Sequence, residues 1–191
     1  MSAHDALIIV DVQNDFCPGG ALAVKDGDQV VPVLNRYIEK FNQAHLPIFA
    51  TRDWHPETTI HFNTHGGQWP PHCVQQTHGA EFHPGLALSQ NVIVVSKGMA
   101  RDADSYSGFD AVSADGIKLA DLLRRHGVER ILVGGLATDY CVKHTVIDGL
   151  KEGFKVLLLE DAVRGVNLDP SDSNGAIEEM LRAGAEKSNE L

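Results

Sequence analysis

Five short runs of Val, Ile, Leu and similar apolar residues recur along the chain, and none of them alternates with polar residues. A strand with one face in water alternates, so continuous apolar runs predict strands buried on both faces of a parallel sheet. The runs are 7–10, 48–50, 92–95, 131–133 and 156–159. Apolar residues at helical spacing lie between or after them, at 30–41, 117–123, 142–150 and 177–181. We therefore predict an α/β fold, a doubly wound and mostly parallel sheet of five to six strands with helices on both faces.

Length and composition fit one globular domain. The chain has 191 residues, of which 43% are hydrophobic, so it can bury a core that needs no disulfide. We expect residues 1–191 to form a single domain. The last residues, 186–191, lack an apolar run, which leaves two alternatives: a weak sixth strand at the sheet edge or a frayed end.

The charge balance argues against nucleic acid as a partner. The chain carries 16 Lys and Arg against 26 Asp and Glu, a formal net charge of −10, which repels a phosphate backbone. No apolar run approaches the roughly 18 residues of a membrane span, and the first residues do not combine a basic region with an apolar stretch. The three cysteines suit a reducing compartment. We expect a soluble cytoplasmic protein, and whether it forms a homo-oligomer is left open.

Ionisable and nucleophilic residues follow the ends of the predicted strands. Ligands of open α/β sheets bind at the carboxyl ends of the strands, so we expect these residues to converge on one edge. They are Asp11, Arg52 with Asp53, Ser96 with Lys97, the segment 134–141, and Glu160 with Asp161. Among them are a thiol, a proton acceptor and an orienting cation, the groups that nucleophilic catalysis requires.

Cys141 lies at a predicted turn from strand to helix. In the first turn of a helix, unsatisfied N–H groups and the helix dipole favour a thiolate. The N–H groups of Ala137 and Cys141 could stabilise an oxyanion there. The plain alternative is that Cys141 is a small buried hydrophobe. Asp11 and Lys97 also have non-catalytic interpretations. Asp11 could cap a turn, and Lys97 could extend into solvent.

Two connections, 54–91 and 99–115, are too long for simple crossovers, and loops of this size are usually functional or disordered. The first holds six of the ten histidines. A carboxylate with two or three imidazoles suits Zn, Fe or Mn. The candidate ligands are Asp53, His55, His61 and His72. The alternative is that these are loop histidines that only form hydrogen bonds. We expect 54–91 to be an ordered excursion that binds metal and substrate.

Five motifs stand in order along the chain. They are DVQNDF at 11–16, DWHP at 53–56, WPPHCV at 69–74, SKG at 96–98 and GLATDYCV at 135–142. Together they resemble the nicotinamidase/pyrazinamidase branch of the isochorismatase-like hydrolases, over about residues 5 to 185. The resemblance implies an amidohydrolase that deamidates nicotinamide to nicotinate and ammonia in NAD salvage, and that also hydrolyses pyrazinamide.

The resemblance also implies catalytic roles. Cys141 would be the nucleophile, Asp11 the proton shuttle and Lys97 their neighbour, while Ala137 and Cys141 would form the oxyanion hole. In this family a cis peptide commonly precedes the residue that matches Ala137, which places one between Leu136 and Ala137. The reaction would pass through a cysteine thioester.

Metal and substrate residues are implied in the same way. Asp53, His55 and His72 would hold one divalent metal ion, with zinc expected and iron or manganese as alternatives. The usual later histidine is Thr59 here, and His61 stands where Ser is common. This departure resembles a subset of the family in which that histidine is itself a ligand, so His61 joins the predicted set.

Four aromatic residues complete the predicted pocket. By the resemblance, Phe16 and Trp69 would enclose the pyridine ring, and Tyr106 and Tyr140 would form the pocket wall. Phe16 and Trp69 could instead be plain core residues.

Other functions remain open at this point. One is another isochorismatase-like amidase that acts on a carbamoyl or aliphatic amide and needs no metal. Another is a catalytically silent binding protein with a structural metal. Isochorismate cleavage attacks a vinyl ether, which does not explain Cys141 together with Asp11.

Overall fold

The computed structural model describes residues 1–189, which contain one six-stranded parallel sheet. The strands are β1 (Asp5–Val10), β2 (Ile48–Asp53), β3 (Ile93–Lys97), β4 (Arg130–Leu136), β5 (Lys155–Arg164) and β6 (Glu186–Ser188). Their order is β3-β2-β1-β4-β5-β6, and each neighbouring pair is parallel. The chain adds strands on one side of β1 and then on the other, so the strand order reverses between β1 and β4. Open sheets bind ligands at such a point.

Within residues 1–189, four α-helices cover both faces of the sheet. They are α1 (Val30–Gln43), α2 (Leu119–Arg125), α3 (Lys143–Lys151) and α4 (Asp172–Arg182). Successive residues of β1 belong to opposite cores: Leu7 packs in a cluster with Leu34 of α1, and Ile8 in a cluster with Val146 of α3. The α/β fold is therefore confirmed. The predicted burial on both faces holds for the central strand β1, whereas the edge strand β3 begins with half-buried residues. Within residues 1–189, each helix is too short or too polar to span a lipid bilayer.

Strand β5 is longer than the sequence predicted. This strand continues through Glu160 and Asp161 to Arg164, because its pairing with β4 resumes after a bulge. The two carboxylates therefore do not follow the strand end and stand apart from the other strand-end residues. Lys187 lies 2.9 Å from Glu160, and Tyr37 donates a hydrogen bond of 3.0 Å to Asp161.

At the sheet edge, β6 is a three-residue strand that pairs with β5. The first of the two alternatives for the tail, a weak edge strand, is therefore the observed one. Glu190 and Leu191 lie outside the described residues.

The two long connections pack at the carboxyl end of the sheet. Segment 54–91 contains two 3₁₀ turns and a bridge between His55 and Val74, and a further bridge joins Phe82 to Gln13 just after β1. Segment 99–115 returns to the sheet through a bridge between Val112 and Ser96 of β3. Both segments therefore lie where the strand-end residues converge.

Candidate active site

The predicted catalytic residues meet at the carboxyl ends of β1, β3 and β4. Lys97 Nζ lies 2.9 Å from Asp11 Oδ2 and donates a hydrogen bond of 3.3 Å to Cys141 Sγ. It also forms an ion pair with Asp53. The side chains of Asp11 and Lys97 are fully buried. One buried ammonium group therefore contacts two carboxylates and the thiol.

Backbone conformation and a neighbouring strand hold Asp11 in place. Directly after β1, Asp11 adopts a left-handed backbone conformation, with φ of 48°, which Asp tolerates better than most residues. Its N–H donates to the carbonyl of Thr51, and the Thr51 hydroxyl donates to Asp11 Oδ1 at 2.6 Å. The carboxylate is thus oriented from the adjacent strand β2.

Cys141 lies in a π-helical turn, Thr138–Val142, that joins β4 to α3. The N–H groups of Tyr140 and Val142 both donate to the carbonyl of Ala137, at 3.1 Å each. The Thr145 hydroxyl donates to the Cys141 carbonyl at 2.7 Å. The peptide bond between Leu136 and Ala137 is cis, as the family resemblance implied. The turn places Sγ against Lys97.

Burial and nearby charges shift the pKa of the Cys141 thiol. Burial raises the pKa of Cys141 well above its usual range; Lys97 opposes this shift, and Asp11 and Asp53 add to it. Burial and the two negative charges therefore oppose the effect expected of the first turn of a helix, and a base is needed to remove the thiol proton.

A base that could accept the thiol proton is adjacent. Burial raises the pKa of Asp11 as well, with Lys97 acting in the opposite direction. Burial would lower the pKa of Lys97, but Asp11 and Asp53 outweigh it and raise that pKa well above its usual range. The carboxylate oxygen of Asp11 and the sulfur of Cys141 lie within 4.8 Å of each other. A neutral thiol beside a carboxylate of increased basicity suits proton transfer between them.

The four predicted metal ligands also converge. Ring nitrogens of His55, His61 and His72 lie within 4.8 Å of one another, and all three side chains are buried. Asp53 Oδ2 lies 3.6 Å from His55 Nε2 and 3.9 Å from His72 Nε2. Three imidazoles and one carboxylate form a ligand set that divalent zinc, iron or manganese accepts.

The surroundings of two of these histidines fit a metal ion. His55 Nδ1 is 3.0 Å from the carbonyl of Gly98, and His72 Nδ1 is 2.7 Å from that of Pro70. Gly98 has a φ of 65°, and a Cβ there would collide with the His55 ring. Within residues 1–189, the buried Nε2 of His55 has no hydrogen-bond partner. Such an orphaned nitrogen, with the opposite nitrogen held by a carbonyl, is typical of a metal-ligating histidine.

Protonation states are also those of metal ligands. Burial lowers the pKa of His72 to about 4. Burial would raise the pKa of Asp53, but Lys97, His55 and His72 together outweigh it and hold that pKa well below its usual range. A neutral imidazole and an ionised carboxylate are the forms that bind metal.

A small, mostly apolar pocket opens onto the thiol and the histidine cluster. Its lining residues are Phe16, Leu22, Asp53, His61, Trp69, His72, Tyr106, Ala137, Tyr140, Cys141 and Val166. The set includes all four predicted substrate-binding aromatics. Trp69 Nε1 donates to the Tyr106 hydroxyl at 2.9 Å, and the Tyr140 ring packs edge-on against Trp69.

Sequence reasoning missed several residues around this cavity. Leu22 and Val166 are ordinary apolar residues in loops, and no sequence signal distinguishes them. Gln13 accepts from the Asp53 N–H and donates to the Asp53 carbonyl, at 2.8 Å each. Its position within the first motif, 11–16, was the available signal. Thr51, the hydrogen-bond donor to Asp11, was also missed.

Comparison with known proteins identifies the family. Residues 5–188 match the model of the Isochorismatase domain. The chain belongs to the isochorismatase family. It is 45% identical over 196 residues to the nicotinamidase of Escherichia coli K12, a match that covers 94% of this chain and 92% of that protein.

Solved structures of this isochorismatase family agree with the sequence match. The pyrazinamidase of Pyrococcus horikoshii, solved in complex with zinc, has a TM-score of 0.89 and 48% identity, covering 97% of this chain and 98% of that one. PnC1 from L. infantum, solved in complex with nicotinate, has a TM-score of 0.87 and 42% identity, covering 98% and 94%. The resemblance to nicotinamidases and pyrazinamidases, predicted from five motifs, is confirmed.

Proposed function

We propose that this protein is a zinc-dependent amidohydrolase that converts nicotinamide to nicotinate and ammonia, a step of NAD salvage, and that it also hydrolyses pyrazinamide. The names of the relatives support this activity. The observation that carries it is one cavity where Cys141, with Asp11 and Lys97 behind it, faces a buried histidine cluster and an aromatic wall. A metal-free amidase would not need that cluster, and a silent binding protein would not need the thiol, acid and lysine.

The first half of the reaction forms a thioester. Asp11 removes the proton from the Cys141 thiol as the sulfur attacks the carboxamide carbon. The amides of Ala137 and Cys141 stabilise the negative charge that develops on the carbonyl oxygen. The C–N bond then breaks, and Asp11 transfers its proton to the departing nitrogen, which leaves as ammonia.

The second half hydrolyses the thioester. Asp11 removes a proton from water as the water oxygen attacks the acyl carbon, and the same oxyanion hole acts again. The C–S bond breaks, nicotinate leaves, and Asp11 returns the proton to Cys141. Lys97 keeps Asp11 and the thiol together through both halves, as its contacts at 2.9 and 3.3 Å support.

The metal site would consist of Asp53, His55, His61 and His72. When bound, zinc supplies a Lewis acid that binds and orients the substrate and polarises water. These ligands connect β2 to segment 54–91, which we propose is the metal- and substrate-binding part of a single domain spanning 1–191.

The pyridine ring would be bound by aromatic contact. Phe16 and Trp69 are the residues we assign to the two faces of the ring, and Tyr106 and Tyr140 to the wall. The hydrogen bond from Trp69 to Tyr106 would keep the indole in place when the cavity is empty.

The partner is then a small molecule rather than nucleic acid or membrane, and we place the enzyme in the cytoplasm.

Ammonia release from nicotinamide tests the proposal directly. We expect the purified chain to release ammonia, chelation to stop the release, and added zinc to restore it, because the histidine cluster would hold the ion that orients the substrate. A coupled assay for ammonia measures all three states. If the zinc-replete chain hydrolyses only carbamoyl or aliphatic amides, the metal-free amidase is the better assignment.

The hydrogen bond from Thr51 to Asp11 predicts a pH effect. That bond stabilises the charged carboxylate and lowers its pKa, so Thr51→Val raises the pKa of Asp11. A smaller fraction of Asp11 is then ionised at a given acidic pH. We expect the acid limb of the kcat–pH profile to move up by about one pH unit.

Thr51→Ser retains the hydroxyl and provides the matched control, with a profile like that of the wild type. An acid limb that is identical in Thr51→Val and Thr51→Ser would mean that Asp11 is not the group whose ionisation limits turnover.

A further inference from the structure

The three histidines of the candidate metal site differ in the group that contacts Nδ1. Backbone carbonyls of Gly98 and Pro70 hold His55 and His72. His61 Nδ1 instead contacts a carboxylate oxygen of Asp104. This is the one partner of the three that a side chain supplies, so it is the one that substitution can remove.

Asp104 lies in segment 99–115, and its contact with the histidine segment is flanked by two hydrogen bonds. The Ile60 N–H donates to the Arg101 carbonyl at 2.9 Å, and Trp69 Nε1 donates to the Tyr106 hydroxyl at 2.9 Å. The three contacts join the same two segments side by side. The position of Asp104 therefore depends on backbone and side-chain contacts other than its own.

The exposure of the two partners is unequal. The Asp104 side chain is 53% exposed, whereas that of His61 is 4% exposed. The His61 ring also stacks on the His55 ring, with centroids 4.6 Å apart and planes 20° apart. A half-exposed carboxylate thus reaches one nitrogen of a buried imidazole, while the rest of that ring lies among the other ligands.

This contact has chemical consequences for a metal ligand. A carboxylate that accepts the Nδ1 proton fixes the tautomer with Nε2 free, sets the ring orientation and makes Nε2 more basic than a carbonyl partner would. Among the four ligands only Asp53 is an anion, and Lys97 already pairs with it, so Asp104 would add a second negative charge near a bound divalent cation.

We infer that Asp104 is a positioning residue of the metal site, which orients and polarises His61 toward the ion. The inference rests on the proposed function, because it presupposes the metal ligands assigned there. Asp104 itself would not touch metal or substrate. Through Asp104, segment 99–115 would directly affect the affinity of the site for the metal.

Zinc titration of the metal-free chain against a competing chelator tests this inference. We expect Asp104→Ala to raise the Kd for zinc about 10- to 100-fold, and Asp104→Asn, which keeps a neutral acceptor, to lie in between. Asp102→Ala is the matched control, since Asp102 is also exposed in the same segment, and it should bind like the wild type.

Two further measurements separate positioning from a structural role. The unfolding temperature of the metal-free chain should be the same in the wild type and Asp104→Ala. With Co²⁺ in place of zinc, the visible absorption of Asp104→Ala should change in shape, because His61 coordinates differently, while that of Asp102→Ala should not.

The outcomes are distinct. Equal zinc affinity in Asp104→Ala and Asp102→Ala would overturn the inference alone and leave the proposed function intact. A weaker affinity accompanied by a lower unfolding temperature of the metal-free variant would make Asp104 a structural contact, and the inference would be wrong. Failure of the wild type to bind zinc would overturn the metal site of the proposed function and this inference together.

Discussion

Cys141→Ala is expected to lose ammonia release from nicotinamide by at least on the order of 10⁴-fold, while zinc stays bound. The sulfur forms the covalent bond to the acyl carbon, and a methyl group cannot replace it. The proposed metal ligands do not include Cys141, so their geometry should survive. Steady-state ammonia assays measure the first effect, and metal analysis of the same sample measures the second.

Cys17 provides the matched control for this experiment. It is a free, buried thiol like Cys141, and burial raises its pKa as well, to about 11. Unlike Cys141, Cys17 does not line the cavity. Cys17→Ala should retain turnover. With the wild type, rapid quenching and mass spectrometry should detect an acyl group on Cys141. Appreciable deamidation by Cys141→Ala would rule out the thioester route.

His55→Ala and Asp53→Ala are expected to lose most of the bound zinc. Each removes a ligand outright, so the affinity should fall by more than the roughly 10- to 100-fold that is usual for a lost outer partner. Elemental analysis after dialysis gives the zinc content per chain. Asp53→Ala also removes one of the two carboxylates beside Lys97, so His55→Ala is the cleaner variant.

An exposed histidine of the same segment provides the control for metal loss. His65 lies in the 3₁₀ turn Asn63–His65, and its side chain is exposed. His65→Ala should keep one zinc per chain. Zinc content in His55→Ala equal to that in His65→Ala would refute the ligand assignment.

Much of the fold could be predicted because its signals are local. A run of consecutive apolar residues by itself predicts a buried strand, and the helical spacing of apolar residues can be recognised over one or two turns. The strand β5 shows the limit of such signals: Glu160 and Asp161 look like the end of a strand, but pairing with β4 continues past them to Arg164. Hydrogen bonding to a neighbouring strand, which lies elsewhere in the sequence, set the length of β5.

The candidate site also contains some residues that the sequence predicted and others that only the tertiary structure revealed. All the predicted ligands and catalytic residues except His61 stand in the five short motifs, which can be recognised in the sequence before the fold is known. Thr51 and Asp104 carry no motif of their own, and their partners lie 40 and 43 residues away. Only the packed strands and loops show that one orients Asp11 and the other contacts His61.

The sequence alone determined the family and the α/β sheet, and it supplied the candidate thiol, carboxylates, lysine and imidazoles of the site, because apolar periodicity and motif identity are properties of short segments. Tertiary structure alone decided that the pKa of Cys141 is raised. The pKa of a buried group depends on how completely water is excluded and on the charges nearby, here those of Asp11, Asp53 and Lys97. These charges come from three strands, and their distances from the sulfur exist only once the sheet has formed.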